Sequence, residues 1–292
     1  HEDKTYWMTK TMIDKIKAKP FLRWAGGKRW LTKSIKDFLP TDFNNYHEPF
    51  LGGASIFLYL KSNNLIKKES YLSDFNTELI NAYEQIKLDP DKIIIGLNKL
   101  KNTKDDYYEI RSSKPRTTIS KAVRFIYLNK TSFNGIYRVN LKGEYNVPYG
   151  FKNTKDLFEF DNIKNINKLL NQDVHLNSND FFSVIENVKA NDLVFLDPPY
   201  TVAHENNGFV KYNQKIFLWE DQQRLAQLLN EINAKKAFFI LTNAAHISVE
   251  KLFSNLGKKH NVQRSSNIGG KGASRKKVNE YIFTNIWIWP KN

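Results

Sequence analysis

The sequence predicts an α/β fold in which a sheet of buried strands is interrupted by a mainly helical insert. Three observations carry the prediction. Leu193–Leu196 is a short apolar run bounded by polar residues, the pattern of a strand buried on both faces. His47–Ser55 reads as a strand end, a glycine turn at Gly52-Gly53 and the start of an apolar helix over Ile56–Leu60. From about residue 77 to residue 165, helical stretches follow one another without clear strands. The expected division is 1–76 and 166–292 for the sheet-bearing unit, with 77–165 inserted and 1–19 a polar, Lys-rich tail.

The strand at Leu193–Leu196 ends abruptly in Asp197-Pro198-Pro199-Tyr200. Neither proline has an N–H for a sheet, and Pro199 biases Pro198 towards extended backbone. A rigid loop follows at the carboxyl end of a buried strand, where open α/β sheets keep their ligand sites. It offers the Asp197 carboxylate, a Pro198 carbonyl that can only accept, and the Tyr200 ring. An exocyclic amino group on a base needs two such acceptors and a platform for its ring. A strand-ending turn with a surface tyrosine is the plain alternative.

The 292 residues suffice for a real core, and 41% hydrophobic with 26% charged is an ordinary globular composition. The charge balance is not ordinary: 45 Lys+Arg against 30 Asp+Glu gives +15. Basic residues interleaved with Tyr, Phe and Asn favour nucleic acid over a membrane surface. Cys is absent, which excludes disulfides and thiolate chemistry. The six histidines show no metal-ligand spacing, so no metal is expected. No apolar run reaches the roughly 18 residues of a membrane span, and no signal-peptide pattern is present, so the default expectation is a cytoplasmic protein, nucleoid-associated when bound to DNA.

Taken in order, Phe21–Lys28 is an apolar entry into a Gly26-Gly27 turn. Gly27 lets backbone approach a ligand, Trp24 supplies a stacking face and Lys28 a cation. Leu31–Phe38 is expected to be helical. The turn carrying Phe50, Gly52 and Gly53 suits a polar or anionic ligand group at a helix N-terminus. About twenty residues on, Tyr71–Asn76 is a strand ending in Asp74, placed for two ribose hydroxyls, to cap the helix Thr77–Ile86, or for both. In the insert, Asn129–Gly150 alternates around Asn-Gly and Lys-Gly signals and is expected to form a hairpin with its tip at the Asn134-Gly135 turn. Its Arg, Asn, Lys and aromatic residues are those that read base edges and stack on bases. Asp180 and Phe181 close a later strand and suit an adenine ring with its amino group. Beyond the helix Trp219–Ile232 and the strand Ala237–Leu241, Arg264–Lys277 is a Gly/Ser-rich basic stretch whose Lys271, Arg275 and Lys276 are candidates for phosphate contacts.

The motifs Phe21-Leu22-Arg23-Trp24-Ala25-Gly26-Gly27-Lys28, Glu48-Pro49-Phe50-Leu51-Gly52-Gly53, Phe133–Asn140, Glu144–Gly150 and Asp197–Tyr200 together resemble the Dam-type DNA adenine-N6 methyltransferases, the α group of amino methyltransferases. The resemblance runs from about Pro20 to Asn285 and includes Ser274–Asn285. It implies a Rossmann-like methyltransferase sheet, S-adenosylmethionine as methyl donor and double-stranded DNA as substrate. It implies donor contacts from Trp24, Lys28, Asp74 and Asp197, with Pro49–Gly53 and Asp180-Phe181 completing the pocket. It implies that Arg23, Phe133, Asn134, Ile136, Arg138 and Pro148 face the DNA target, expected to be adenine in GATC or a GAT-containing site. Phe133 stands where some relatives carry Tyr; stacking survives that change. A restriction endonuclease acting on the same site is an implied partner.

Two other readings stay open on the sequence. An amino methyltransferase acting on RNA or a protein glutamine shares the Pro-Pro-Tyr loop, although Asn at its head is the usual variant on glutamine. A non-catalytic DNA-binding module on the same fold is the other.

Overall fold

A computed structural model describes residues 16–151, 157–201, 217–265 and 277–287. Its centre is a seven-stranded sheet of β1 (Tyr46–Glu48), β2 (Ser70–Ser73), β3 (Val174–Asn177), β4 (Leu193–Leu196), β5 (Phe238–Ala244), β6 (Lys258–Ser265) and β7 (Lys277–Thr284), in the order β3-β2-β1-β4-β5-β7-β6. The first five strands are parallel, and β7 lies antiparallel between β5 and β6.

β4 shows why its sequence is a continuous apolar run. Leu193 and Phe195 join the core on one face of the sheet, while Val194 and Leu196 join the core on the other. That is the two-residue alternation of a strand covered on both sides. Ile240 and Ile282 repeat the first face on β5 and β7, and Phe239, Leu241 and Phe283 the second.

The first face is covered by α1 (Ser55–Ser62), α2 (Thr77–Leu88) and α6 (Phe160–Leu170), and the same core continues into α3 (Pro90–Asn98), α4 (Lys104–Ser112) and α5 (Thr118–Thr131). The second face is covered by α7 (Trp219–Ala234) and α8 (Ile247–Phe253). Side-chain caps start the insert helices: Asn76 for α2, Asp89 before Pro90 for α3, Thr103 for α4 and Thr117 for α5. The cap of α2 is thus Asn76 and not Asp74, whose Oδ1 instead accepts from the Asn76 N–H at 2.9 Å. Residue 165, the expected end of the insert, lies inside α6.

Two further expectations are corrected. Leu31–Phe38 forms two short 3-10 turns, Leu31–Lys33 and Ile35–Phe38, because Ser34 leaves helical geometry at φ −123° and ψ −4°. Asn134-Gly135 is not a hairpin tip. It is a tight 3-10 turn, Phe133–Gly135, with φ of 54° and 64°. The ribbon reverses farther on at Asn140–Glu144, where the Asn140 N–H donates to Glu144 O and Gly143 takes φ 75°. Lone bridges Val139–Tyr145 and Ser132–Tyr149 hold the two arms together.

Candidate active site

Strand order reverses between β1 and β4: the chain leaves β1 towards β2 and β3, and leaves β4 towards β5. The carboxyl ends of strands beside such a switch point form a crevice. Here they bring together the Pro49–Gly53 turn, Asp74, Asp180-Phe181, Asp197–Tyr200 and Thr242.

Asp197 is held by one oxygen. Its Oδ1 takes the Lys28 ammonium at 2.7 Å and the Thr242 hydroxyl at 2.7 Å, and no described residue binds Oδ2. Burial pushes its carboxyl above the ordinary aspartate value; Lys28 and Thr242 pull it back in part, and the charge of Glu280 adds to the rise. Lys28, 4% exposed, also donates to Gly26 O at 2.8 Å and lies 5.1 Å from the centre of the Tyr200 ring.

The rest of the loop is anchored from behind. The Tyr200 hydroxyl donates to Glu280 Oε2 on β7 at 2.6 Å. Gln222 on α7 donates to Thr201 Oγ1 at 2.7 Å and accepts from Asn243 on β5 at 2.9 Å, all of it buried. Thr242, Glu280, Gln222 and Asn243 were not found from the sequence.

Asp74 Oδ2 accepts the Gly52 N–H at 3.0 Å, which ties the end of β2 to the turn after β1. Burial raises its carboxyl too. Gly52 is glycine for a reason outside the expected ligand approach: at φ +46°, a Cβ there would meet Trp24 Cδ1 at 2.7 Å. Trp24 lies on Tyr137 with ring centres 5.9 Å apart. Across the crevice Phe50 stacks on Phe181 at 5.1 Å, and Phe217 meets both. Asp180 receives two guanidinium N–H bonds from Arg224, at 2.6 and 3.2 Å, and caps the turn Phe181–Glu186 through the Phe182 N–H. Arg224 also covers the Phe181 ring at 4.9 Å. Beneath the turn, Glu48 accepts the Tyr46 hydroxyl at 2.7 Å. Burial pushes Glu48 up to about 8, the charges of Asp197 and Asp74 adding to the rise against the Tyr46 bond.

The expected DNA-facing residues form one surface beside this crevice. Asn129 on α5 clips the two parts together: its Oδ1 accepts from Arg23 N–H at 2.8 Å, and its Nδ2 donates to Arg23 O and Gly135 O. The fit is close, since a Cβ on Gly135 would lie 2.4 Å from Arg23 Cβ. Phe133 is 51% exposed, and its N–H donates to Pro148 O, so the two stand side by side. Arg23, Asn134, Arg138 and Pro148 are exposed and Ile136 half-buried. Arg138 donates from Nε to Asn146 Oδ1 at 2.8 Å on the opposite arm. Lys271, Arg275 and Lys276 lie outside the described residues. Among the described residues no cluster of His, Asp or Glu is arranged for a metal, and no helix is long and apolar enough to cross a membrane.

The parallel sheet with one antiparallel insertion and an acidic crevice at its switch point is a Rossmann-like arrangement, and the family match makes it that of an S-adenosylmethionine-dependent methyltransferase. The chain belongs to the D12 class N6 adenine-specific DNA methyltransferase family, whose model matches residues 24–268. A Type II methyltransferase, M1.LlaDCHI, of Lactococcus lactis subsp. cremoris is 34% identical over 93% of this chain and 97% of its own. M.MjaIII of Methanocaldococcus jannaschii, another Type II methyltransferase, is 35% identical over 89% and 96%. The DNA adenine methylase of Haemophilus influenzae is 31% identical over 92% and 94%. The chain is therefore an adenine-N6 DNA methyltransferase that uses S-adenosylmethionine on a DNA substrate.

Proposed function

We propose that this enzyme methylates a flipped adenine in double-stranded DNA, in GATC or a longer site containing GAT. The observation that carries the reading is the state of Asp197, with Oδ1 fixed by Lys28 and Thr242 and Oδ2 bound by no described residue. An adenine amino nitrogen is a poor nucleophile because its lone pair is delocalised into the ring. Oδ2 of Asp197 and the Pro198 carbonyl accept its two N–H bonds and favour the pyramidal nitrogen that attacks. A carboxyl whose proton affinity is raised by burial is also the better acceptor for the proton the amine sheds. Tyr200 stacks on the base, worth roughly 1–3 kcal/mol, against an unpairing cost of about a few kcal/mol.

The donor pocket fits its ligand by charge. Asp74 and Asp197 line it, with Lys28 bound to Asp197, inside a chain of net charge +15. S-adenosylmethionine supplies an electrophilic methyl on a sulfonium, a cation suited to that acidic lining. Asp74 holds the ribose hydroxyls, the stacked pair Phe50 and Phe181 gives the adenine ring an apolar wall, and Asp180 accepts from its amino group. Trp24, Gly27, Lys28, Gly52 and Gly53 shape the remaining wall.

Arg23, Phe133, Asn134, Ile136, Arg138 and Pro148 read the duplex, with Phe133 filling the gap the flipped base leaves. The helices and ribbon between α2 and α6 form the recognition insert, and Lys271, Arg275 and Lys276 contact phosphates. The Type II names of two relatives support a cognate endonuclease acting on the same site. Single-molecule sequencing of DNA methylated by the protein tests the reading, since it reports base, position and context together. Methylated adenines in a motif without GAT overturn the specificity.

A further inference from the structure

Glu280 has no role in the chemistry above, yet it sits at its centre. It is 1% exposed on β7, opposite Ala244 of β5. A buried carboxylate costs stability unless its partners compensate, and an apolar side chain would fill the same place without that cost. Two of its contacts are Tyr200, which stacks on the base, and Lys28, which binds Asp197. Glu280 Oε2 accepts the Tyr200 hydroxyl at 2.6 Å and lies 3.9 Å from Lys28 Nζ, which in turn binds Asp197 at 2.7 Å.

We propose that Glu280 is a positioning residue for the acceptor adenine: it fixes the plane of the Tyr200 ring and sets a second negative charge beside the Lys28 ammonium that binds Asp197. The inference rests on the methyl-transfer roles given to Asp197 and Tyr200. A tyrosine ring at a loop edge turns about its side-chain bonds, and anchoring its hydroxyl removes that freedom before the base arrives. The charge effect runs the same way. Asp197 is faced by Lys28 from the Gly26-Gly27 loop, by Glu280 from β7 and by Glu48 from β1. With the Glu280 charge removed, Lys28 serves Asp197 alone and the carboxylate becomes a weaker acceptor, protonated only at lower pH.

The test compares Tyr200→Phe, Glu280→Gln, Glu280→Ala and the double variant Tyr200→Phe/Glu280→Ala in steady-state methylation of a duplex. Tyr200→Phe and Glu280→Ala should each lower kcat/KM for DNA about tenfold, the weight of one orienting hydrogen bond. The double variant should be no worse than Glu280→Ala, because that change already removes the acceptor of the Tyr200 hydroxyl. Glu280→Gln keeps an oxygen for the Tyr200 hydroxyl, so it should lose less than Glu280→Ala. It should also move the acid limb of the pH–kcat profile to lower pH, whereas Tyr200→Phe leaves that limb in place. Effects that multiply in the double variant overturn the inference, as does an acid limb in Glu280→Gln that stays or moves up. Tyr200→Phe and Glu280→Gln are near-isosteric and carry the test if Glu280→Ala does not fold. Asp197→Asn in the same assay separates the two levels: full activity sinks the methyl-transfer roles themselves, while an inactive Asp197→Asn with multiplying effects sinks only Glu280.

Discussion

The Lys28 ammonium and the Asp197 carboxylate meet at 2.7 Å, Nζ to Oδ1, with the Thr242 hydroxyl on the same oxygen. One carboxylate oxygen is thereby engaged by the protein, and no described residue binds the other. Asp197→Ala should abolish methyl transfer while duplex affinity survives, because the carboxylate acts on an amino group and not on phosphates. Thr242→Val should lower kcat about tenfold with donor affinity unchanged, since it removes one hydrogen bond that orients Oδ1. Calorimetry of donor binding beside single-turnover rates checks both. Loss of duplex affinity in Asp197→Ala with normal turnover at saturating DNA would contradict the assignment.

Glu48 makes the fold itself sensitive to pH. Its carboxyl rises from 4.5 to about 8 on burial, so the folded protein holds a proton there that the unfolded chain has already lost. Stability on this account is complete below about pH 4.5 and falls as pH rises towards 8. Glu48→Gln keeps an oxygen for the Tyr46 hydroxyl and has no proton to lose. Its thermal midpoint relative to the parent should therefore climb across that window, by an amount on the order of a few kcal/mol in free energy. A constant difference between pH 5 and pH 8 would show that Glu48 titrates normally.

What could be read from the sequence was rigid and local. The prolines after Leu196 and the apolar run before them fix a loop without help from distant residues, and both appear where expected. The residues that hold the loop were not legible, because each comes from another strand or helix: Thr242 from β5, Gln222 from α7, Glu280 from β7. Nothing in a lone Glu between Asn279 and Tyr281 signals that it faces a tyrosine hydroxyl. Gly52 was legible as glycine but not its cause, which is the Trp24 ring against it. The ribbon tip was misplaced because two turn signals competed, and Asn134-Gly135 serves a 3-10 turn packed on Arg23. In α6 the signal was present: Ile163, Ile166 and Leu170 are spaced for one helix face, and all three are buried.

At the amino end of β4, Asp192 behaves oppositely to Glu48. Burial pushes its carboxyl up, but hydrogen bonds from His47 at 2.8 Å and from the Asn45 and Lys189 N–H groups outweigh that and leave it below the ordinary value. Its stabilisation is present above the unfolded-state value, about 3.9, and is lost as pH falls through the lower folded value. Asp192→Asn should destabilise the fold at neutral pH by about 1.5–3 kcal/mol, the weight of a hydrogen bond to a charged group. The deficit should shrink in acid. Urea titrations at pH 7 and pH 3 decide it: an equal deficit at both means that shape and not charge holds this end of the strand.

Arg138 gives the sharpest test of specificity. It stands on the arm of the ribbon, short of the Asn140–Glu144 reversal, and Asn146 on the facing arm accepts its Nε–H at 2.8 Å. A guanidinium so oriented before binding suits the bidentate contact with guanine O6 and N7, which discriminates against other bases by ~1–3 kcal/mol. Arg138→Ala should therefore relax selection at one guanine-bearing position and leave donor affinity intact. Asn146→Ala, which removes only the orienting acceptor, should relax the same position by less. Both are read by sequencing DNA methylated by each variant at matched turnover. If Arg138→Ala weakens all sequences equally and flattens the salt dependence of binding, the guanidinium is a phosphate anchor and the base contact must come from elsewhere on the ribbon.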